Sequence, residues 1–455
     1  MKNRIGFISL GCCKNLVDAE RMITLLQSNG YSIASSTGDS DLIVVNTCGF
    51  INPSIVESTE AIKEALDTGK PVVVTGCLGA RKEFLQQQFS RHNLVGITGP
   101  QDYDGVNRMI CEALPLNNGR HNCFRDAPVP GTKLTPSHYA YLKISEGCSN
   151  HCSFCAIPGL RGKMISRPID EIMYEADRLI ERGTSELIVV AQDTMAYGRD
   201  LPDLKRSYSG REYSSDIISL VDFLAEKDIW VRLHYLYPYN TIDSLIPYMQ
   251  DGKIIPYLDI PFQHSSPRIL KLMRRPGNIE RLADRILEWK EKIPELCIRT
   301  SCIVGFPGET EDDFENLLDF IRKVRLDRVG CFIYSNVDGV KANELPDQIS
   351  EEVKQERYDR FMEVQQKISL ENMNKKIGSI QEAVVDDIDR EEQVIITRSK
   401  FDSPEIDGQI YIPYDSDQTE LLPQIGEHIR TRIYDANEYD LFGELPDAVQ
   451  PSAEK

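Results

Sequence analysis

The chain is short of basic residues and has no long apolar run. Its 455 residues include 52 Lys plus Arg against 71 Asp plus Glu, a net charge of −19. This deficit argues against broad nucleic-acid binding, because phosphate contacts need basic side chains. No apolar stretch approaches the roughly 18 residues of a membrane-spanning helix, and we find no signal-peptide pattern at the N-terminus. We therefore expect a cytoplasmic protein of several domains.

Histidine is also scarce, with 7 residues, and no serine–histidine constellation of a hydrolase stands out. Cysteine, in contrast, is abundant, with 12 residues. Disulfides are rare in cytoplasmic proteins, so metal ligation, catalysis or simple burial are the uses to consider. Three cysteines lie in apolar, strand-like runs, where burial is the expected use: Cys297, Cys302 and Cys331.

Three other cysteines follow predicted strands near the start of the chain. Short apolar runs alternate with helical patterns, which predicts a parallel α/β sheet, with strands at 5–10, 41–46 and 71–76. Each run leads into one cysteine: Cys12, Cys48 and Cys77. Because ligands bind beyond the carboxyl ends of parallel strands, we expect these thiols to meet at one edge and hold a metal cluster.

The middle of the chain alternates strands and helices again, from residue 139 to residue 368. Six strand–helix units fit a partial or complete (β/α) barrel, whose active site lies at the carboxyl ends of its strands. The first of these strands runs into "EGCSNHCSFC", which contains Cys148, Cys152 and Cys155. The second cysteine triad is therefore expected on the active-site face.

The spacing of this second triad admits two interpretations. A structural zinc ion normally takes four protein ligands, and His151 is poorly placed to join its neighbour Cys152 in one tetrahedron. Three thiolates on a cubane iron–sulfur cluster leave one iron without a protein ligand. An open iron is useful when a cofactor must bind the metal, which favours the iron–sulfur interpretation.

The last part of the chain has short strands without intervening helices, which predicts a small β-barrel. Residues 376–455 carry 19 acidic and 7 basic residues, so most of the excess negative charge lies there. A Pro- and Gly-containing stretch at 116–138 reads as a linker. The predicted domains are an N-terminal α/β domain, a barrel domain and a small antiparallel β-barrel, at residues 3–115, 134–368 and 373–445.

The motif C-x-x-x-C-x-aromatic-C, with Phe154 at the aromatic position, resembles the radical S-adenosylmethionine (SAM) superfamily. The resemblance implies that SAM chelates the open iron of a 4Fe-4S cluster on Cys148, Cys152 and Cys155, and that its cleavage yields a 5′-deoxyadenosyl radical. It also implies cofactor contacts in two later segments, "AQD" and "IVGFPGE": Gln192, Asp193, Ile303 and Gly305. Where the superfamily often has Gly-Gly-Glu, this chain has Ala191, Gln192 and Asp193, so Asp193 is expected either to replace the glutamate or to cap a helix.

Together with this motif, "SLGCCKNLVDAE", "VVNTCGFI" and "VVTGCL" resemble the methylthiotransferases. That family implies a second 4Fe-4S cluster on Cys12, Cys48 and Cys77, a C-terminal TRAM domain, and a low-potential electron donor such as flavodoxin or ferredoxin. Cys13 is unusual after the first ligand, so either Cys12 or Cys13 could ligate, and Cys12 is chosen.

One branch of the family modifies a transfer RNA adenosine, and the other modifies an aspartate of ribosomal protein uS12 (S-twelve). "AYLKISEGCSNHCSFCAIP" and "RSKFDSPEIDG" look like the second branch. An acidic C-terminal domain should repel tRNA and attract a basic ribosomal protein, so no direct nucleic-acid substrate is expected. The alternatives are a tRNA methylthiotransferase and, from another class, a non-catalytic zinc-binding scaffold.

Overall fold

The computed structural model describes residues 3–116, 131–201, 206–275, 281–415 and 422–446. Most of the predicted linker, residues 117–130, lies outside the described residues. Within the described ranges, none of the helices combines the length and apolar character needed to cross a bilayer. Two parallel sheets and a closed β-barrel follow one another along the chain, as the sequence predicts.

The N-terminal unit is a parallel sheet with helices on both faces. Its strands are β1 (Arg4–Ser9), β2 (Ser32–Ile33), β3 (Leu42–Thr47), β4 (Val72–Gly76) and β5 (Leu94–Ile97), in the spatial order β2-β1-β3-β4-β5. Its helices are α1 (Cys13–Ser28), α2 (Asn52–Asp67), α3 (Lys82–Gln88) and α4 (Tyr103–Ala113). Strands β3 and β4 are buried along their whole length, which explains their nearly unbroken apolar sequences.

The middle unit is built on an open parallel sheet of six strands, a partial barrel. Its strands are β6 (Tyr139–Lys143), β7 (Ser145–Glu146), β8 (Ile165–Ser166), β9 (Glu186–Val190), β10 (Arg206–Tyr208), β11 (Arg211–Tyr213), β12 (Trp230–Leu233), β13 (Tyr257–Asp259), β14 (Cys297–Val304) and β15 (Arg328–Ile333). The sheet order is β15-β14-β13-β12-β9-β6, and the pairs β7–β8 and β10–β11 form small antiparallel ribbons.

Eight described α-helices belong to the middle unit. They are α5 (Ile157–Arg161), α6 (Ile169–Glu181), α7 (Ile217–Leu224), α8 (Ile246–Gln250), α9 (Pro267–Leu272), α10 (Leu282–Lys292), α11 (Glu311–Val324) and α12 (Glu351–Asn374). A capping box begins α11, because the Thr310 side chain accepts from the Asp313 N–H while the Asp313 side chain accepts from the Thr310 N–H. The largest apolar core lies between the sheet and helices α6, α7 and α10.

The C-terminal unit is a closed barrel of five described strands. They are β16 (Ile380–Asp389), β17 (Val394–Ser399), β18 (Ile410–Pro413), β19 (His428–Ala436) and β20 (Leu441–Glu444), in the order β16-β17-β18-β20-β19. All neighbouring strands are antiparallel except β18 and β20, which run parallel. Closure removes the free edges that an open sheet of this size would expose.

A segment of the small barrel closes the amino end of the large one. This plug segment, residues 398–408, contacts the first residues of strands β6, β9, β13 and β15. Arg398 lies 2.5 Å from a Glu186 carboxylate oxygen, and Tyr257 donates a 2.6 Å hydrogen bond to Asp407. Deeper inside, the Ser403 hydroxyl lies 3.1 Å from Nε2 of His234. The plug segment is therefore a structural joint between the two units.

Replacing Arg398 by methionine is expected to destabilise the protein by roughly 3 kcal/mol, because it removes one of the two arginines bound to the buried Glu186, where Arg232 remains, and the arginine bound to Asp386. Urea denaturation of the purified variant would measure the loss. The matched control is Lys367→Ala on the exposed pair with Glu363, which should cost no more than about 1 kcal/mol. Equal effects of the two substitutions would contradict the structural role of the plug segment.

Candidate active site

The carboxyl ends of β1, β3 and β4 bring Cys12, Cys48 and Cys77 to one edge of the first sheet. Cys48 and Cys77 are buried, whereas Cys12 is exposed. Gly11 adopts φ +95°, and a Cβ at this position would lie 3.2 Å from Sγ of Cys48. Glycine is therefore needed for the chain to turn this close to the sulfur.

The two adjacent cysteines face different surroundings. Cys13 is the first residue of α1, and its sulfur lies 3.5 Å from the Tyr235 hydroxyl, beside the apolar cluster that contains Tyr141. The charge of Cys12, together with that of Cys48, acts on the Cys77 thiol. The choice of Cys12 as the first ligand stays a prediction, and the contact with Tyr235 gives Cys13 a different set of neighbours.

The second triad lies at the carboxyl end of the partial barrel. Gly147 adopts φ +71° and turns the chain out of β7, so that the Cys148 N–H donates to Gly162 O at 3.1 Å. A second backbone hydrogen bond, from the Cys155 N–H to Cys152 O at 3.2 Å, closes the loop. Cys148 and Cys152 are buried and Cys155 is half-buried.

Burial shapes the protonation of both triads. It raises the pKa of the Cys155 thiol to about 12, and it raises the pKa of Cys77 to about 11 although Arg161 acts in the opposite direction. Although Cys12 is exposed at the surface, the protein around its sulfur desolvates the thiolate and acts to raise its pKa; the charges of Lys14 and Arg161 and backbone hydrogen bonds outweigh this and bring the pKa below its ordinary value. Ligation of iron would displace the remaining protons, since the thiolate is the ligand.

The donor sets fit iron–sulfur clusters better than single ions. Among the described residues, no three His, Cys, Asp or Glu side chains converge closely enough to hold one metal ion. A structural zinc ion needs four ligands, each about 2.0–2.3 Å away. Each triad offers three soft sulfur ligands, the donor type that holds iron–sulfur clusters in proteins.

Gln192 and Asp193 follow β9 near the second triad, but they differ in what they can still bind. Gln192 donates from Nε2 to Glu146 at 3.0 Å, while its buried Oε1 has no hydrogen-bond partner among the described residues. Asp193 accepts from Asn150 at 2.7 Å and Tyr239 at 2.9 Å, and it caps the short turn at Thr194–Ala196. The two side chains therefore differ in how many of their polar atoms are already bonded, and Asp193 is the cap that the sequence offered as one alternative.

The other predicted cofactor residues lie in two kinds of surroundings. Phe154 and Ile303 pack against an apolar cluster that also contains Cys77 and Phe306, so this cluster joins the N-terminal unit to the barrel. Gly305 adopts φ +70°, and a Cβ there would lie 2.2 Å from Cγ of Lys354. The glycine therefore makes room for the Lys354 side chain of α12.

A cavity of about 290 Å³ borders the second triad at the junction of the two units. Cys152 and Cys155 line it from the barrel, and Ala80 and Arg81, which follow Cys77 closely, line it from the N-terminal unit. His151 also lines the cavity and is exposed. The cavity gives a small molecule access to the second triad.

A buried charge network, which sequence reasoning missed, connects the units beside the triads. Lys143 donates to Asp18, and to Glu146 at 2.7 Å. Arg161 donates to the same two carboxylates, at 3.0 Å to Asp18 and 2.6 Å to Glu146. Although burial opposes ionisation, these cations lower the pKa of Asp18 to about 2. The sequence signal was present, because "NLVDAE", "LKISE" and "LRG" carry these residues, but their meeting depends on domain packing.

Comparisons with known proteins agree with this architecture. Residues 142–321 match the Radical SAM superfamily, residues 4–96 match the Uncharacterized protein family UPF0004, and residues 377–445 match the TRAM domain. Among solved structures, the radical S-adenosylmethionine methyltransferase TsrM from Kitasatospora setae, with cobalamin and a 4Fe-4S cluster bound, is similar with a TM-score of 0.51. That match covers 73% of this chain and 75% of the other at 11% identity, and supports the fold alone.

Curated relatives match almost the whole chain. The ribosomal protein uS12 methylthiotransferase RimO of Proteus mirabilis is 51% identical, with 97% of this chain and 98% of the relative covered. The proteins of the same name from Cronobacter sakazakii and Stenotrophomonas maltophilia are 50% and 49% identical. Those matches cover 97% and 99% of this chain, and 98% and 97% of the relatives. The chain therefore belongs to the RimO family of ribosomal protein uS12 methylthiotransferases.

Proposed function

We propose that this radical SAM methylthiotransferase adds a methylthio group to the β-carbon of an aspartate in ribosomal protein uS12. The observation that carries the proposal is the meeting of two three-cysteine sets at one domain junction, one on each parallel sheet. One set suffices to cleave SAM, so the other is available to supply sulfur. The family to which the chain belongs supports uS12, rather than tRNA, as the substrate.

The enzyme uses SAM and an iron–sulfur cluster. We assign this cluster to Cys148, Cys152 and Cys155, and a second 4Fe-4S cluster to Cys12, Cys48 and Cys77. When bound, these groups supply a 5′-deoxyadenosyl radical that can remove hydrogen from an unactivated carbon, and the sulfur that replaces it.

The protein's own contribution is binding, orientation and exclusion of water. Gln192 is proposed to accept a hydrogen bond from the SAM ammonium through its free Oε1, and Glu146 holds the amide in place through Nε2. Phe154 and Ile303 supply apolar surface on which the adenosyl part of SAM can rest. Asp193 acts indirectly, through Asn150 and Tyr239.

Electrostatic complementarity supports a basic protein partner. Three acidic residues of the small barrel are bound to arginines and cannot face a substrate: Asp386, Asp402 and Asp407. Others remain exposed on the barrel surface: Glu382, Asp387, Glu391, Glu392, Glu427 and Asp435. This acidic surface would attract a basic protein and repel nucleic-acid phosphates.

The division of labour follows the three units, which we propose to be residues 3–115, 134–368 and 373–445. The first carries the sulfur-donating cluster, the second cleaves SAM, and the third, a TRAM domain, holds uS12. An external low-potential donor such as flavodoxin or ferredoxin would supply electrons. We place the enzyme in the cytoplasm, where uS12 is available as free protein or in the small ribosomal subunit.

The proposal is tested by offering both candidate substrates to the reconstituted enzyme with SAM and a chemical reductant. Purified uS12 is expected to gain the mass of one methylthio group in place of one hydrogen, which tandem mass spectrometry would locate on one aspartate. A tRNA that carries N6-isopentenyladenosine is expected to stay unmodified, because the acidic barrel disfavours phosphates.

The control is uS12 with the modified aspartate replaced by alanine, which should gain no mass. Modification of the tRNA together with unmodified uS12 would contradict the proposed substrate. Modification of the alanine variant at another residue would contradict the proposed site on uS12.

A further inference from the structure

Arg161 lies between the two cysteine triads and contacts residues of both units. Its Nε donates to Sγ of Cys77 at 3.3 Å, and its Nη1 donates to Glu146 at 2.6 Å. Its Nη2 donates to Asp18 at 3.0 Å and also to Asn15. With 6% of its surface exposed, the residue is fully enclosed by these partners. One planar guanidinium thus joins a cysteine of the first triad to the entry of the second.

The chain also ties Arg161 to the second triad through the backbone. Arg161 is the last residue of α5, a helix that begins two residues after Cys155. The next residue, Gly162, has its carbonyl bonded to the Cys148 N–H at 3.1 Å. Glu146, which accepts from Arg161, lies two residues before Cys148. A substitution at Arg161 would therefore alter contacts on both sides of the junction between the two units.

If Arg161 only held the two units together, its hydrogen bond to the Cys77 sulfur would not be needed. Lys143 already links Asp18 to Glu146, and its charge with that of Arg161 balances the two carboxylates. The Nε–H of Arg161 is a further donor, aimed at Cys77 and held there by the other three contacts of the guanidinium. Hydrogen bonds to ligating sulfurs and nearby positive charge raise the reduction potential of iron–sulfur clusters.

We propose that Arg161 is a positioning residue that raises the reduction potential of the cluster at the first triad and fixes the separation of the two triads. The inference rests on the proposed function, because it requires a cluster on Cys12, Cys48 and Cys77. Arginine suits this role because its rigid fork donates in several fixed directions, which the single ammonium of lysine cannot do.

The test is a reductive titration of the reconstituted full-length protein, followed by electron paramagnetic resonance. A background that carries Cys148→Ala, Cys152→Ala and Cys155→Ala leaves only the first cluster to be observed. In this background Arg161→Gln is expected to shift the midpoint potential to a more negative value without loss of iron. Arg161→Lys, which keeps the charge in the network, is expected to give a smaller shift in the same direction.

The matched control is Arg167→Gln. Arg167 lies six residues further on and is also an arginine of the second unit, but it binds Glu175 at 2.7 Å and the Lys143 carbonyl at 2.7 Å. Its replacement should leave the potential unchanged. If Arg161→Gln does not fold, the midpoint potential of Arg161→Lys alone tests the inference.

An unchanged potential in a folded, iron-loaded Arg161 variant would overturn the inference, as would an equal shift in Arg167→Gln. Failure of the proposed function gives a different result, because the background protein with native Arg161 would then bind no cluster at all. An iron count on that protein, made before the titration, separates the two failures.

Discussion

Alanine at Cys148, Cys152 or Cys155 is expected to reduce SAM cleavage to background. Each substitution removes one of three thiolates from the cluster, and no described carboxylate, histidine or cysteine is placed to complete a compact metal site there. The iron content should fall from about eight to about four atoms per chain, because only one of two cubane clusters remains. Formation of 5′-deoxyadenosine under anaerobic reducing conditions measures the effect.

Cys331→Ala provides the control for this experiment. Cys331 is a buried cysteine of β15 that packs with Phe314 and Leu317 in an apolar cluster, so its replacement should leave iron content and SAM cleavage intact. A variant of Cys148, Cys152 or Cys155 that still cleaved SAM would falsify the assignment of that triad.

Alanine at Cys12, Cys48 or Cys77 is expected to separate the two halves of the reaction. The second triad is untouched, so 5′-deoxyadenosine should still form, whereas methylthio transfer to uS12 should be lost with the cluster that provides sulfur. The iron count should again fall to about four atoms per chain. Parallel measurement of 5′-deoxyadenosine and of modified uS12 in one reaction mixture tests both parts.

Cys13→Ala is the matched control, since it removes a thiol one residue away from the first ligand. Cys13 contacts Tyr235 and the apolar cluster beside β6, so its loss should preserve both iron content and methylthio transfer. If Cys13→Ala lost the cluster and Cys12→Ala kept it, the first ligand would be Cys13 instead.

The sequence was sufficient to predict the two sheets and the positions of the cysteines along them. Unbroken apolar strands such as β3 and β4 are hard to mistake, and a cysteine directly after such a strand must lie at the carboxyl edge of the sheet. The sequence also predicted two alternative roles for Asp193, and in the structure its side chain caps the short turn at Thr194–Ala196. Local pattern and parallel-sheet topology were enough for these predictions.

Strand ends were less predictable. The sequence "DIWVRLHYLYP" at 228–238 is apolar enough to predict one long strand, but β12 ends at Leu233. Tyr235 adopts φ +58°, a left-handed conformation that a strand cannot contain. The turn places the Tyr235 and Tyr237 hydroxyls near Cys13 and Cys152, respectively. Such a conformation is imposed by packing around the site, so the local sequence carries no signal for it.

Contacts between domains could not be predicted from the sequence. Arg161 is enclosed by the charge network, and the segment "RSKFDSPEIDG" fills the amino end of the barrel. The local sequence predicts neither position, for the same reason. Sequence analysis predicts that a charged residue outside the apolar pattern is exposed. It cannot show that a neighbouring domain covers that residue.

The plug segment also limits how freely the C-terminal barrel can be exchanged by evolution or by protein engineering. A chimera that imports a foreign barrel would leave Glu186, Arg232 and Arg328 of the acceptor facing an unmatched surface, because Arg398, the Lys400 carbonyl and Asp402 are their native partners. A chimera that folds must therefore take the plug segment and the barrel residues that bind it from the same protein. The C-terminal barrel is thus bound to the middle unit by buried charge pairs and is not a detachable module.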